Sequence, residues 1–137
     1  VPCCIMHNRE KAEYKNFHED MIQDLKDSIA IAKEAGIADD KIILDPGVGF
    51  GKTYEHNLIA INHLEWLTEL GYPVLLATSR KSVIGLTLDL PADQRVEGTM
   101  VTTVIGVQKK AAFVRVHDVK ENYRAIRMTQ AILREGK

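Results

Sequence analysis

Short apolar runs alternate four times with longer stretches whose apolar residues recur every three or four positions. The runs occupy residues 4–6, 42–44, 74–76 and 113–116. Each run is mostly apolar rather than alternating, which is typical of parallel strands that are buried on both faces. Each longer stretch carries one apolar stripe and therefore predicts an amphipathic helix. The pattern predicts four consecutive β-α units.

Each predicted helix is defined by apolar or small residues that share one face. The four sets are Phe17, Met21, Leu25, Ile29 and Ala32; Leu58, Ile61, Leu64 and Leu67; Val96, Met100, Thr103 and Val107; and Val119, Tyr123 and Ile126. Gly36 and Gly71 follow the first two sets, and Pro73 lies just beyond Gly71. Glycine accommodates the left-handed helix cap and proline cannot continue a helix, so these positions predict helix ends.

Two α/β architectures fit this order: an open doubly wound sheet, or four units of a (β/α)₈ barrel. Four units in 137 residues scale to about 250–280 residues for eight units, which is the usual size of a complete barrel. Residues 1–4 already resemble the start of a buried strand, with no lead-in before them. We therefore expect the chain to be a piece of a longer protein.

Composition excludes several classes of protein. An apolar content of 45% argues against disorder, and a net charge of −1 argues against a dedicated nucleic-acid binder. No apolar run approaches the roughly 20 residues that span a bilayer, and no signal peptide is recognisable. Cys3 and Cys4 are adjacent and offer no disulfide framework. We expect a reducing cytoplasm as the compartment, with neither nucleic acid nor membrane as a partner.

In both architectures, ligand-binding residues belong at the carboxyl ends of the strands. The second strand ends at Asp45, a carboxylate that is costly to bury without partners, and runs into DPGVGFGKT at residues 45–53. Its glycines permit turns that are closed to other residues, and Phe50 offers a flat apolar face. A tight turn before a helix explains the glycines but not the pairing of Asp45 with Phe50. The glycine spacing fits neither a P-loop nor a dinucleotide fingerprint.

The third and fourth strands also end in groups that suit a ligand. The third is followed by TSRKS at residues 78–82, whose cations and hydroxyls suit either an anionic ligand or a solvated loop with Ser82 as a helix cap. Arg115 and His117 lie two apart and point to the same side of the fourth strand, which favours a phosphate site. Asp118 is a candidate cap for the last helix.

The remaining candidates are weaker. Residues 6–9, MHNR, follow the first strand and on local grounds indicate a core methionine and a polar loop. No metal-ligand spacing is present. The other three histidines are predicted to be surface residues: His18, His56 and His63.

Taken in order, these motifs resemble the second half of the dihydropteroate synthases, a pterin-binding TIM-barrel family. Residues 43–53, 75–82 and 115–119 resemble the family's motifs at strands 6, 7 and 8, and residues 6–9 match the end of strand 5. The resemblance implies that residues 1–137 are the carboxyl-terminal half of a (β/α)₈ barrel. It also implies a cytoplasmic transferase of folate synthesis, which joins 6-hydroxymethyl-7,8-dihydropterin diphosphate to p-aminobenzoate and releases diphosphate.

The resemblance assigns four residues to the pterin. Asp45 would bind the amino and ring N–H edge of the pterin, and Lys81 would contact its carbonyl. Met6 and Phe50 would line the slot. The family usually has glycine where this chain has Ala77, and we expect the extra methyl group to be tolerated.

The other substrate groups are assigned in the same way. Ser79 and Arg80 would lie near the p-aminobenzoate, where sulfonamides act in this family. Arg115 and His117 would bind the departing diphosphate. Lys81, Arg115 and His117 would thus be the catalytic residues. Mg²⁺ assists the diphosphate in the family, and its ligands are expected in the first half of the barrel, with none here.

Half a barrel would lack part of the active site. We therefore expect the chain alone not to catalyse the reaction at a useful rate, and to form a homodimer, to self-associate or to pair with the other half. Three alternatives stay open: a pterin-binding methyltransferase domain of the cobalamin-dependent kind, a non-catalytic folding fragment, and a generic phosphate-binding barrel. The last would leave Asp45 and Phe50 without a role.

Overall fold

Four short parallel strands lie side by side in chain order in the computed structural model, which describes residues 1–137. They are β1 (Cys3–Met6), β2 (Ile42–Asp45), β3 (Leu75–Leu76) and β4 (Phe113–Val114). β1 pairs with β2 and β3 pairs with β4, and a single parallel bridge from Leu44 to Val74 joins the two pairs. The predicted α/β arrangement is confirmed, although β4 ends two residues before the predicted end at residue 116.

Helices connect and follow the strands. They are α1 (Phe17–Glu34), α2 (Tyr54–Asn62), α3 (Glu65–Thr68), α4 (Ser82–Leu88), α5 (Val96–Gln108) and α6 (Val119–Leu133), with 3₁₀ turns at Asp39–Lys41 and Ala92–Gln94. The prediction of one continuous helix over residues 58–67 is wrong, because His63 leaves helical geometry at φ −114° and ψ 39°. None of the six helices is long and apolar enough to cross a membrane.

The core lies between the strands and the first helices. The stripe predicted for α1 is confirmed, because Met21, Leu25, Ile29 and Ala32 are buried. They pack with residues from the strands and from the segment that contains α2 and α3. These partners are Ile42, Leu44, Val48, Ile61, Leu64, Leu67, Val74 and Leu76. The carboxyl ends of β1 and β2 are fixed relative to each other by their pairing, in which Met6 lies opposite Asp45 and the His7 N–H donates to the Asp45 carbonyl at 2.9 Å.

The contact between α5 and α6 is made by small and polar residues, contrary to the predicted stripes. Val119 and Tyr123 are 65% and 54% exposed, whereas Asn122 is fully buried. The Thr103 hydroxyl donates to Asn122 Oδ1 at 2.7 Å, and Asn122 Nδ2 donates to the Asp118 carbonyl at 2.8 Å. A hydrophobicity pattern cannot detect such a face, because its buried positions are polar.

The Thr103–Asn122 hydrogen bond gives a test of this packing. Thr103→Val keeps the shape but leaves the buried Asn122 Oδ1 without its donor, so we expect the free energy of unfolding to fall by about 1–3 kcal/mol. Urea unfolding would measure it. Thr129→Val is the matched control, because the buried Thr129 hydroxyl only donates back to the Ala125 carbonyl of its own helix. An equal loss in both variants would contradict the assignment.

Candidate active site

Asp45 is the last residue of β2, and its carboxylate lies at the mouth formed by the strand ends. The residue is 6% exposed, and its Oδ1 accepts the Gly47 N–H at 2.8 Å. Burial raises the pKa of Asp45, while Gly47 and three cations, Lys81, Arg115 and Lys52, oppose the rise. A carboxylate in this position can accept paired N–H donors from a flat heterocycle.

The glycine loop, residues 45–53, packs its backbone against the loop that follows β1. A Cβ atom on Gly47 would lie 1.9 Å from the His7 carbonyl oxygen, and one on Gly51 would lie 2.3 Å from that of Arg9. Both glycines also have positive φ, 69° and 59°, a conformation that few other residues adopt. The loop therefore requires glycine at both positions. This close backbone packing against the loop after β1, which we call the interlock, positions Asp45 relative to β1.

Phe50 and Lys81 lie on the open side of the glycine loop. Phe50 is 41% exposed, and the Lys81 ammonium stands 5.1 Å from the centroid of its ring. Lys81 Nζ donates to the Val48 carbonyl at 2.6 Å. Met6, at the end of β1, is 38% exposed, and its Cγ approaches Gly47. An aromatic face, a thioether and an ammonium thus lie around the glycine loop that begins at Asp45.

Behind the glycine loop lies a chain of polar groups. Lys52 Nζ donates to the Gly47 and Phe50 carbonyls, each at 3.1 Å, and lies 2.8 Å from His7 Nδ1. An ammonium can only donate, so Nδ1 is the acceptor, and the Nε2 proton of His7 is donated to Asp24 at 2.9 Å. Burial and Lys52 lower the pKa of His7, which agrees with a neutral ring.

Ser79 and His117 meet across the ends of β3 and β4. Ser79 Oγ accepts the His117 backbone N–H at 3.0 Å and lies 2.7 Å from His117 Nδ1. The hydroxyl hydrogen is therefore available to Nδ1, and a neutral His117 carries its proton on Nε2, where it can serve a ligand. Ser79 is 8% exposed, and no carboxylate orients the imidazole as in a nucleophile–base pair. The pair suits anion binding.

Arg80 has a left-handed backbone, with φ 58°, a conformation that is costly for a non-glycine residue. Thr99 Oγ1 accepts the Arg80 N–H at 3.1 Å, and Arg95 donates to the Arg80 carbonyl at 2.8 Å. The guanidinium donates to Asp118 at 2.8 Å. These contacts fix residues 79–81 at the mouth, while the side chain of Arg80 is turned toward Asp118.

Arg115 is the least constrained cation of the mouth. It is exposed and makes no side-chain hydrogen bond or ion pair. Its charge nevertheless acts on Asp45, on Lys81 and on Cys4 of β1. The side chain of Arg115 is therefore free of ion pairs within the chain, as the phosphate site predicted from the sequence would require.

The predicted site residues are largely brought together. Asp45, Phe50 and Lys81 form one group, and Ser79 with His117 forms a second. Arg115 acts on Asp45 and Lys81 through its charge, without a hydrogen bond or ion pair. Ser82 does begin α4, but the cap position is Lys81 without a side-chain bond. Asp118 does occupy the cap position of α6, but its carboxylate binds Arg80 rather than the helix.

The expectation of three surface histidines holds only for His18, which is exposed. His63 and His56 are partly buried. His56 forms a capping box with Thr53 and stacks on Phe17. His18 and His63 both stack on the ring of Trp66, with distances between ring centroids of 3.8 and 4.5 Å.

Sequence reasoning missed the residues that support the loops. Five of them bear directly on the mouth: His7, Asp24, Asn57, Arg95 and Thr99. Asp24 had a usable signal, because it lies three residues after the buried Met21 on the core side of α1. Asn57 is 4% exposed and accepts the Gly49 N–H at 2.8 Å.

The described residues include no group of three or more His, Cys, Asp or Glu side chains that could hold a metal ion. The polar side chains at the mouth are mainly cationic, and this does not fit a divalent metal such as Mg²⁺.

The interlock of the two loops yields a direct test. Gly47→Ala should destabilise the chain strongly, because the new methyl would meet the His7 carbonyl oxygen. Gly36→Ala is the matched control: its φ is 88°, but nothing lies within 4 Å of the added Cβ. We expect the control to lose about 1 kcal/mol of unfolding free energy and Gly47→Ala to lose several times more. Similar losses in denaturant unfolding would contradict the interlock.

Comparison with known proteins agrees with this geometry. A dihydropteroate synthase from Clostridium beijerinckii is 64% identical over 98% of this chain, and one from Bacillus subtilis is 52% identical over 99%. The alignments cover 50% and 48% of those relatives, so the chain spans about half of their length.

The solved structures give the same result. A dihydropteroate synthase from Clostridium difficile, determined in the presence of pteroic acid, is 49% identical and superposes with a TM-score of 0.94. That match covers 98% of this chain and 51% of the other. The profile of the family described as "Pterin binding enzyme" matches residues 1–117. Because this match covers most of the chain, the chain belongs to the pterin binding enzyme family.

Proposed function

We propose that residues 1–137 are the carboxyl-terminal half of a dihydropteroate synthase barrel, strands 5–8, and that they bind the pterin substrate. The observation that carries this proposal is the buried Asp45 carboxylate, which lies within the influence of three cations and in the same glycine loop as the exposed ring of Phe50. The reaction joins 6-hydroxymethyl-7,8-dihydropterin diphosphate to p-aminobenzoate. The location that we predict is the cytoplasm.

The pterin would occupy the space between Asp45 and Phe50. Its amino group and ring N–H would replace water as donors to the Asp45 carboxylate, whose desolvation makes such donors valuable. Lys81 would leave or share its bond to the Val48 carbonyl to reach the pterin carbonyl. Met6 would close the slot from the β1 side. Ala77, which is 3% exposed, lies in the wall before Thr78 and should not block the slot.

The second group of residues would serve the reacting end. The arylamine nitrogen of p-aminobenzoate attacks the methylene carbon of the pterin, the carbon–oxygen bond breaks, and diphosphate leaves with the bonding electrons. Arg115 and the Nε2–H of His117 would stabilise the charge that grows on the diphosphate. Ser79 and Arg80 would border the p-aminobenzoate. No protein nucleophile is required.

The other half of the barrel would complete the site. We propose that Mg²⁺, as the family resemblance implies, would assist the departing diphosphate, and that its ligands would lie outside residues 1–137. The chain alone should therefore bind pterin more readily than it turns substrate over. Turnover at a useful rate by highly purified chain would contradict this division of the site.

Asp45→Asn tests the pterin site. The variant keeps an oxygen acceptor for the Gly47 N–H but loses the negative charge. A hydrogen bond to a charged group contributes about 1.5–3 kcal/mol, so the affinity for pteroic acid should fall roughly ten- to hundredfold. Calorimetric titration would measure it. Asp40→Asn, at an exposed carboxylate without side-chain partners, is the control. Equal binding by both variants would contradict the role of Asp45.

The same variant should melt at a higher temperature. Burial raises the pKa of Asp45 above its unfolded value, so the ionised form costs folding free energy. This cost grows as pH rises from the unfolded pKa through the folded pKa, and it is absent below both. We expect Asp45→Asn to stabilise the unliganded chain by a few degrees at pH 7 and not at pH 3. A lower melting temperature at pH 7 would contradict the burial cost.

We further propose that the chain self-associates or pairs with the other half of the barrel. β1 and β4 each have only one neighbour, which leaves two strand edges open. Apolar side chains are also exposed near these edges and on the last helix, among them Val1, Met6, Phe113, Met128 and Ile132. Sedimentation should show species larger than a monomer, and a monodisperse monomer at micromolar concentration would contradict the proposal.

A further inference from the structure

The proposed pterin site assigns no direct ligand contact to the ammonium of Lys52. The ammonium lies behind the glycine loop, half-buried, and donates to two carbonyls of that loop, those of Gly47 and Phe50. Its third partner is His7 Nδ1 at 2.8 Å. All three donor hydrogens of the ammonium are thereby used, which leaves none for a ligand.

We infer that Lys52, which is bonded to the buried His7 and through it to the half-buried Asp24, is a positioning residue. It sets the shape of the glycine loop and so holds Asp45 and Phe50 in the geometry that receives a pterin. This inference rests on the proposed function for its ligand. The role of Lys52 in the loop can be tested without any ligand.

The seat beneath Lys52 is rigid. His7 is 2% exposed, and its Nε2–H is donated to Asp24. Asp24 also accepts Arg9 Nε at 2.7 Å and Arg9 Nη2 at 3.1 Å. Because the imidazole is clamped by α1 and faces Lys52 with a lone pair, the ammonium has one favoured place. The ammonium thereby fixes the glycine loop relative to β1 and α1.

The loop itself has few other constraints on the Phe50 side. The Phe50 N–H is donated to the Gly47 carbonyl at 3.0 Å, the carbonyl that Lys52 also holds. Gly49 is held by Asn57, and Gly51 by the hydroxyl of Tyr14 at 2.5 Å. Lys52 adds to this backbone bond, because its ammonium binds the carbonyls at both the start of the turn, Gly47, and its end, Phe50.

The effect of Lys52 on the stability of the chain can be separated from its effect on the position of the loop. Burial lowers the pKa of Lys52 to about 8, against the pull of Asp45. Below that pH the folded chain carries a desolvated ammonium that the unfolded chain hydrates, so the charge costs stability and the cost is relieved as pH rises from about 8 toward the unfolded value. Removing the ammonium relieves this cost but also removes its three hydrogen bonds. Because the two effects oppose each other, the melting temperature should change by only a few degrees, while the loop is freed.

Lys52→Met is the test, because it keeps the apolar stem and removes the donors. Native-state hydrogen exchange should show the Gly49 and Phe50 amides exchanging about tenfold faster or more. Pteroic acid affinity should fall about tenfold, with the melting temperature changed by only a few degrees. Lys52→Arg, which can donate to the same carbonyls, should recover part of the affinity. Lys41→Met, at an exposed lysine without side-chain bonds, is the control.

Each outcome has one meaning. Unchanged exchange in Lys52→Met overturns the inference whether or not a ligand binds, and faster exchange with unchanged affinity overturns the positioning role. A parallel loss of affinity and melting temperature, without recovery in Lys52→Arg, indicates a purely structural lysine and also overturns it. If the parent chain binds no pteroic acid, the proposed function fails, and exchange still decides whether Lys52 shapes the loop. Lys52→Gln replaces Lys52→Met if the latter does not fold.

Discussion

A carboxylate at the end of a buried strand is the feature on which the rest of the site depends. Asp45 has lost most of its water, and within the chain it receives one backbone N–H and the influence of three cations. Such a group is held at a cost in stability, because burial disfavours its charged form. The surrounding loops hold the carboxylate in place despite this cost, so that it stays available to a ligand.

The loops achieve this in two different ways. The glycine loop is fixed by close backbone contact, at Gly47 and Gly51, and by the ammonium of Lys52. The loop after β3 is fixed by side chains at the start of α5, since Thr99 of α5 and its N-cap residue Arg95 hold the left-handed backbone of Arg80. Both arrangements place the supporting groups behind the loop and leave Phe50, Lys81 and Arg115 toward the mouth.

Much of this could be predicted from the sequence, because it depends on local patterns. The four strands, the first helix and the clustering of unusual residues after the strands follow from hydrophobic periodicity and from the rule for parallel strands. The break at His63 and the polar face between α5 and α6 could not be predicted, since both are set by tertiary contacts. The support from Asp24, Asn57 and Arg95 joins residues that are 8 to 17 positions apart in the sequence. The separations are 17 from His7 to Asp24, 15 from Arg80 to Arg95 and 8 from Gly49 to Asn57.

The most direct test of the account is the pKa of the Asp45 carboxyl, measured by carbon-detected NMR in the free chain and with pteroic acid. We expect a raised pKa in the free chain, because burial dominates. We expect the pKa to fall when pteroic acid binds, because its N–H donors favour the ionised form. A pKa that does not change on binding would mean that the pterin does not engage Asp45, and it would contradict the central claim.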